Sequence, residues 1–474
     1  MQITAGPIWS YIRNLLPEVN FKLDEALAFK NKAIWFNPKL RRLVAQGLWD
    51  GKTRLYDRKT GKFPTGLLDK VKDITGFDST DRLIDNRFPS DFSWADAIDR
   101  AKTLELNGIS LAGFQREAIV NNVTQGRGLD LLSVNSGKTE VGIATALAIN
   151  RKTLWLVNTK ELLYQCAKRF ELRTGMKAGM VGDGKFEIGD LVTISMVQSI
   201  NAKENRWKEF LKQFEILIID ECQHAAAPKT WYNLAINCPA PFRFGLSGSL
   251  PKEDEIQHKI MGVTDSKVIA RITNEQLIST GWSAKPTVFI RPVRYPNNKL
   301  DYFEAFDTMI RRNEGYLSIV VKDIVEQHNK GNSVLVLVDR IYQGSRLSQE
   351  LGGLDIKTVF LSGKDKSSYR NKVVEKFKSG RLPVLIGGRN FNEGIDIKII
   401  QCLILASGGK SPVRQLQRVG RALRKKPDDI NEVSIIDYYH LGNDYLDEHS
   451  KERAELYESE NFDIKWLPEI KLLK

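Results

Sequence analysis

The chain is poor in the residues that build metal centres and disulfide scaffolds. Four cysteines stand among 474 residues, at Cys166, Cys222, Cys238 and Cys402, with no C-x-x-C pair. That scatter excludes a disulfide framework and a zinc site of paired cysteines, and it fits a reducing compartment. The five histidines are dispersed, which argues against a His-rich metal centre. No apolar run approaches the ~18 residues of a membrane span. The opening stretch MQITAGPIWSYIRNLLPEVN lacks the charged start and long apolar block of a signal peptide. Low-complexity segments and short repeats are also missing. The expectation is a soluble cytoplasmic protein.

What is present begins with length and charge. A chain of 474 residues is too long for one core and should form two to four domains. The formal net charge of +13 favours a polyanionic partner. Short β-rich apolar runs recur: GLDLLSV (128–134), TLWLVN (153–158), DLVTISM (190–196), EILIIDE (215–221) and FRFGLSGS (242–249). Stretches of helical periodicity, such as TEVGIATALAIN and KELLYQCAKRF, separate them. Alternating strands and helices mean a parallel α/β sheet, and continuous apolar character fits strands buried on both faces. The rhythm restarts after residue 282, with TVFIRPV, SVLVLVD, KTVFLSG, LPVLIGG, QCLILAS and EVSIIDY. The fold expected is α/β, with two tandem parallel-sheet lobes at 101–282 and 283–474.

Residues 1–100 differ and read as a small basic α+β domain. WDGKTRLYDRKTGKFPTG (49–66) looks like a compact β unit with turn pairs at Asp50-Gly51 and Thr60-Gly61. Lys52, Arg54, Arg58, Lys59 and Lys62 crowd it, interleaved with Trp49, Tyr56 and Phe63. Two readings stand. Charge for phosphates and rings for bases make a nucleic-acid surface; the same residues also make a solvated hairpin with an aromatic mini-core.

SVNSGKTEV (133–141) ends like a phosphate-binding loop, although Leu132 occupies the first glycine position of G-x-x-x-x-G-K-[ST]. The context is a strand, then NSGKT, then an apolar helix. Backbone amides and the helix N-terminus can face phosphates there. Lys138 would contact the β and γ phosphates, and the Thr139 hydroxyl would ligate Mg²⁺. GKT alone also fits a plain strand-to-helix turn. ILIIDECQH weighs against that, because Asp220 and Glu221 follow a fully apolar strand, where a parallel sheet presents its ligand site. One acid can hold Mg²⁺ and the next can polarise water. Adjacent carboxylates at a buried strand end are costly unless a cation neutralises them.

Taken together, these segments resemble superfamily 2 helicases and translocases over roughly residues 105–460, and so RecA-like lobes. LAGFQREA (111–118) is similar to the adenine-reading Q motif, which assigns Gln115 to the base. SVNSGKT resembles motif I, with Ser136, Gly137, Lys138 and Thr139 at ATP. VNTKELLYQ (157–165) resembles motif Ia, and SMVQSI (195–200) the segment that faces the nucleic-acid backbone. DECQH resembles motif II, GLSGSLP (245–251) motif III and VLVDRIYQGSRL (336–347) motif IV. IGGRNFNEGIDI (386–397) resembles motif V, with Glu393, Gly394 and Asp396 in place, and QLQRVGRALR (415–424) resembles motif VI. In QRVGRALR the spacing puts Gln417, Arg421 and Arg424 on neighbouring turns of one helix face.

The resemblance implies ATP and Mg²⁺ as cofactors, bound between two lobes. Lys138, Thr139 and Asp220 would hold the phosphates and metal, Glu221 would activate water, and Arg421 and Arg424 would act as fingers. The nucleic-acid track would include Thr159, Gln198, Ser199 and Arg340, with Lys52 and Arg54 added from the basic N-terminal unit. Motif II departs from the family's D-E-C-H-H by carrying Gln223 and then His224, and either can supply the coupling hydrogen bond. Motif III carries Ser247 and Ser249 where relatives have threonines. Finer similarity, to the XPB-like group and to UvsW-type phage helicases, implies remodelling of branched DNA with 3′-to-5′ polarity, in a host bacterial cytoplasm for a phage protein. One chain would supply a complete site, so a monomer suffices. The alternatives are an RNA helicase, the motor subunit of a restriction system, and an ATP-independent DNA-binding or annealing protein.

Overall fold

The apolar runs become the strands of two large parallel sheets. The computed structural model describes the chain except for residues 32–33, 35–36, 201–203, 228–229, 252, 389–399, 409–419, 421–430 and 473–474. Gly394, Asp396, Gln417, Arg421 and Arg424 therefore lie outside the described residues. Two compact units emerge. One comprises Met1–Ser133 and Gly137–Ile272; the other comprises Thr273–Lys474 with the short piece Val134–Ser136. The division falls ten residues before 282, and the N-terminal hundred residues group with the first lobe, because they share packing with it.

The first lobe carries eight strands in the order Lys185–Glu187, Gly179–Gly182, Val192–Met196, Thr153–Val157, Ile216–Asp220, Phe242–Ser247, Arg127–Leu132 and Val268–Ile272. All neighbours are parallel except the first two, which form an antiparallel edge hairpin. Sequence periodicity missed this hairpin and the edge strand Val268–Ile272. They are short or half-exposed, so they lack the apolar run that marks a central strand.

The second lobe repeats the plan with the order Thr358–Leu361, Val384–Gly387, Val334–Leu337, Cys402–Leu405, Glu432–Leu441, Lys285–Arg294 and Asp463–Trp466. Its inner strand Val334–Leu337 shows why the runs are continuous. Val334 and Val336 join one buried cluster, while Leu335 and Leu337 join another. Successive side chains point to opposite faces, so both faces are cores.

The N-terminal element has its own sheet, ordered Lys62–Pro64, Trp9–Arg13, Gln2–Ala5 and Arg82–Asp85. The stretch 49–66 is not one β unit. Lys52–Arg54 pairs with Ala28–Lys30, whereas Lys62–Pro64 pairs with Trp9–Arg13. Tyr56 and Phe63 are buried in the element's core with Ile3, Ile12 and Leu67, and Tyr232 and Met261 of the first lobe pack against it. Those two rings are a mini-core and not a stacking surface.

A buried arginine ties the element to the lobe. Arg127 begins the phosphate-loop strand and is 2% exposed. Its Nη1 donates to the Pro7 carbonyl at 2.6 Å and the Pro241 carbonyl at 3.3 Å, and its Nη2 donates to the Thr264 carbonyl at 3.0 Å. Burial, reinforced by the charge of Arg243, pulls its pKa down to about 9, against the pull of Asp265. Truncation leaves three carbonyls without this donor. Arg127→Ala should destabilise the first unit by about 3–5 kcal/mol, read by denaturant unfolding.

A second contact is pH-sensitive. Lys70, on the helix Leu68–Thr75, reaches Nε2 of His258, whose Nδ1 lies 2.6 Å from the Asp254 carbonyl. With Nδ1–H donating to the carbonyl, Nε2 is the acceptor and the ring is neutral. Burial lowers the His258 pKa and the Lys70 charge adds to it, against the Asp254 carbonyl. A depressed base contributes stability that is present above its unfolded value of about 6.5 and is lost as the pH falls. His258→Gln should therefore lose less stability than the parent between pH 7 and pH 5, measured by unfolding at both values. Equal losses would remove His258 from the account.

Candidate ATP-binding and nucleic-acid site

Five adjacent parallel strands of the first lobe end on one edge of the sheet. Val192–Met196, Thr153–Val157, Ile216–Asp220, Phe242–Ser247 and Arg127–Leu132 are consecutive neighbours. The loops that leave them are, in that order, the SMVQSI segment and the segments matched to motifs Ia, II, III and I. This is the edge at which an open parallel sheet presents its ligands.

Leu132 is the last residue of its strand and is fully buried. The first-glycine position thus belongs to the sheet core, and the loop proper begins after it. Gly137 has φ +80°, and a Cβ there would stand 2.2 Å from Nε2 of Gln115. Only glycine fits. The next residue, Lys138, opens the helix Lys138–Ile149. Gln115 is buried, and its Oε1 accepts from the Ala112 amide at 2.9 Å, so it supports the loop from beneath. Ser136 and Thr139 flank Gly137 and Lys138 in the chain; Ser136 is buried and Thr139 half-buried.

Motif II meets motif I directly. Lys138 Nζ donates to Glu221 Oε1 at 3.4 Å. Glu221 Oε2 accepts from Gln223 Nε2 at 2.7 Å. The Ser247 hydroxyl lies 2.7 Å from Gln223 Oε1 and 2.6 Å from the Ser249 carbonyl. A chain of contacts runs Lys138, Glu221, Gln223, Ser247, and so joins the loops after three strands. It assigns the motif II–III link to Gln223. His224 instead lies beside Trp231, with ring centroids 6.3 Å apart.

Glu221 sits at φ +52°, in the left-handed region that an ordinary residue rarely adopts. Such strain persists where surroundings over-determine it, and it gathers at functional positions. Burial pushes the Asp220 carboxyl up to about 6, and the neighbouring Glu221 charge adds to this against Lys138. For Glu221, burial also pushes upward, but Lys138 and the Gln223 hydrogen bond outweigh it and hold the carboxyl down. Lys138 is raised, because the two carboxylates outweigh its own burial. Two carboxylates against one ammonium leave a negative surplus of hard oxygen donors. With the Thr139 hydroxyl next in chain to Lys138, this donor set fits Mg²⁺ completed by phosphate oxygens and water.

Two residues assigned to the nucleic-acid track meet through Asn158, which the sequence reading did not single out. Gln198, exposed after Val192–Met196, donates to the Asn158 carbonyl at 3.1 Å and to its side-chain oxygen at 3.2 Å. Thr159 follows and caps the next helix, accepting from the Leu162 amide at 3.3 Å. Ser199 is half-buried beside Gln198. In the second lobe Arg340 is exposed at the start of the helix Ile341–Gly353, its guanidinium 5.6 Å from the Phe306 ring centroid. Lys52 and Arg54 are already neutralised. Lys52 pairs with Glu25 at 2.5 Å, and Arg54 pairs with Asp24 at 3.1 Å and Asp50 at 2.5 Å. They hold the N-terminal element together. Arg58 and Lys59 are the more exposed cations of that stretch.

The family described as "Type III restriction enzyme, res subunit" matches residues 109–252, and "Helicase conserved C-terminal domain" matches 317–426. The chain is built on a superfamily 2 helicase core. It is 23% identical to the ATP-dependent DNA helicase uvsW of Enterobacteria phage T4 over 96% of both chains. It is 26% identical to a candidate helicase of a Sulfolobus islandicus filamentous virus, over 68% of this chain and 63% of that protein. The chain thus spans less than two thirds of that viral relative. Among solved structures, the ATP-dependent Type ISP restriction-modification enzyme LlaBIII bound to DNA superposes over 78% of this chain and 32% of that one, with a TM-score of 0.57 and 16% identity. That likeness is one of fold. The helicase core carries its motif II–III link on an amide, so Gln223→Ala should slow ATP hydrolysis about 10- to 100-fold while ATP binding persists. Gln223→His should recover much of the loss. Equal steady-state rates in Gln223→Ala and the parent would discard the link.

Proposed function

We propose that this protein is an ATP-dependent DNA translocase that remodels branched DNA, such as forks and four-way junctions, with 3′-to-5′ polarity. The observation that carries the reading is the contact chain from Lys138 through Glu221 and Gln223 to Ser247, on the same sheet edge as Gln198 and Thr159. It supports the reading because the residues assigned to phosphate recognition and water activation touch one another on the sheet edge that also carries the residues assigned to the nucleic-acid track.

The chemistry follows from the residues. Lys138 and the amides of the phosphate loop bind the β and γ phosphates. Thr139 and Asp220 hold Mg²⁺, which neutralises phosphate charge when bound. Glu221, kept ionised by Lys138 and Gln223, orients the attacking water and accepts its proton. Gln223 reports the state of Glu221 to Ser247 and the motif III loop. Gln417, Arg421 and Arg424 are assigned the finger and coupling roles on their motif alone, and Gly394 and Asp396 a share of the nucleotide site. Thr159, Gln198, Ser199 and Arg340 take the sugar–phosphate backbone, a contact that carries no sequence information. Binding is therefore weakened by salt and indifferent to sequence. One chain holds every motif, so a monomer is sufficient.

The N-terminal element is assigned the duplex arm of the branch, through Arg58 and Lys59. Removing the element is a poor test, because Arg127 would lose its acceptor on Pro7. The test is ATPase rate with no nucleic acid, single-stranded DNA, duplex, forked and four-way DNA, and RNA, beside Lys138→Ala. Stimulation should be greatest with forked or four-way DNA and should vanish in Lys138→Ala, a loss on the order of 10³-fold or more. Stimulation by RNA alone would replace DNA with RNA, and absence of hydrolysis on every substrate would leave a binding protein.

A further inference from the structure

The edge hairpin of the first lobe, which no motif covers, borders a cavity of about 500 Å³ lined by Val181, Gly182, Lys185, Phe186, Arg206 and Trp207, and it also includes Ser199. That volume is in the range of small-ligand sites. Phe186 is 59% exposed, although its ring meets Trp207 at 5.7 Å and Phe210 at 5.6 Å. Trp207 and Phe210 are buried in the lobe's core, so the exposed ring stands on a rigid aromatic base. Cations flank it. The Arg206 guanidinium lies 5.0 Å from the Trp207 ring centroid and pairs with Glu204 at 2.9 Å. Lys185 forms no ion pair among the described residues, and its Nζ lies 5.1 Å from the Tyr164 ring centroid.

We propose that this groove holds an unpaired base of the bound nucleic-acid strand, stacked on Phe186, with Lys185 and Arg206 at the adjoining phosphates. The inference rests on the nucleic-acid reading of the sheet edge and adds a base-contacting site to it. Continuity chooses the occupant. Ser199 belongs both to the groove wall and to the backbone track, one residue from Gln198, so a strand followed along that track arrives at the hairpin. Stacking on an exposed ring beside cations is what a sequence-tolerant single-strand site requires, because every base has a π-face. An apolar protein segment would gain nothing from the two cations.

The test is binding of a fluorescein-labelled oligo-dT and of a blunt duplex to the full chain, by anisotropy across a salt series. Phe186→Ala should weaken oligo-dT binding about 5- to 30-fold, leave duplex binding unchanged and leave the salt slope unaltered. Phe186→Trp should restore affinity. Lys185→Ala with Arg206→Ala should weaken binding and lower the salt slope by about one unit per lost contact. Circular dichroism would confirm that each variant is folded. If the parent binds oligo-dT but Phe186→Ala binds equally well, the groove is not a base site and the wider reading stands. If the parent binds no nucleic acid at any salt, the wider reading fails and the groove assignment fails with it.

Discussion

Glu221 takes a left-handed backbone conformation and has partners on both oxygens of its carboxylate, and the proposed catalytic edge is arranged around it. A half-buried glutamate beside a neighbouring carboxylate is pushed by its desolvation towards taking up a proton. Here the ammonium of Lys138 and the amide of Gln223 keep it charged, and they also fix its two oxygens in different directions. The arrangement has Lys138 at the first turn of its helix, following a residue at 137 whose left-handed backbone and close approach to Gln115 call for glycine. Each link is a local consequence of one residue's size or charge. Together they place an ionised carboxylate beside a phosphate loop, and that is the chemical content of the site.

Much of this was legible in the residues. The eleven apolar runs of the two series all became strands, most of them buried on both faces, where no polar alternation confuses the reading. The positions of Asp220 and Glu221 followed from where such a strand ends, that of Lys138 from the loop pattern, and that of Ser247 from the motif III resemblance. The choice between Gln223 and His224 did not, since an amide and an imidazole can each span the gap and only geometry tells which side chain points inward. Leu132 looked like a defect in the loop. It is a core residue, and the loop is one residue shorter on that side than the pattern suggests.

The N-terminal element was the least legible part. Its charges and rings fitted an outward-facing binding surface and an aromatic mini-core equally well. In the folded chain, Tyr56 and Phe63 are buried, and Lys52 and Arg54 satisfy Glu25, Asp24 and Asp50. Asp50 is only four residues from Arg54, but Glu25 and Asp24 lie 27 and 30 residues from the cations they neutralise, beyond the reach of any local pattern. Composition counts charges, whereas folding decides which of them are drawn inward by their partners and which stay exposed. The same principle hid the edge hairpin: Phe186 sits in a short polar stretch and gains meaning only beside Trp207 and Ser199.

The sheet also sets the length over which the two halves of the task must communicate. Neighbouring strands lie about 4.8 Å apart. Arg127–Leu132 and Val192–Met196 are separated by three intervening strands, so the phosphate loop and the Gln198 turn stand roughly 19 Å apart along one edge. A close-packed parallel sheet with two buried faces does not bend over that span. A signal from the phosphate therefore cannot travel as a deformation of the strands. It has to pass through groups at the strand ends that have two hydrogen-bonding states. Ser247 qualifies, because its single proton can serve either Gln223 or the Ser249 carbonyl. In the proposed reaction, a change of charge on Glu221 would require the amide of Gln223 to readjust first, and the Ser247 proton would be the next to follow.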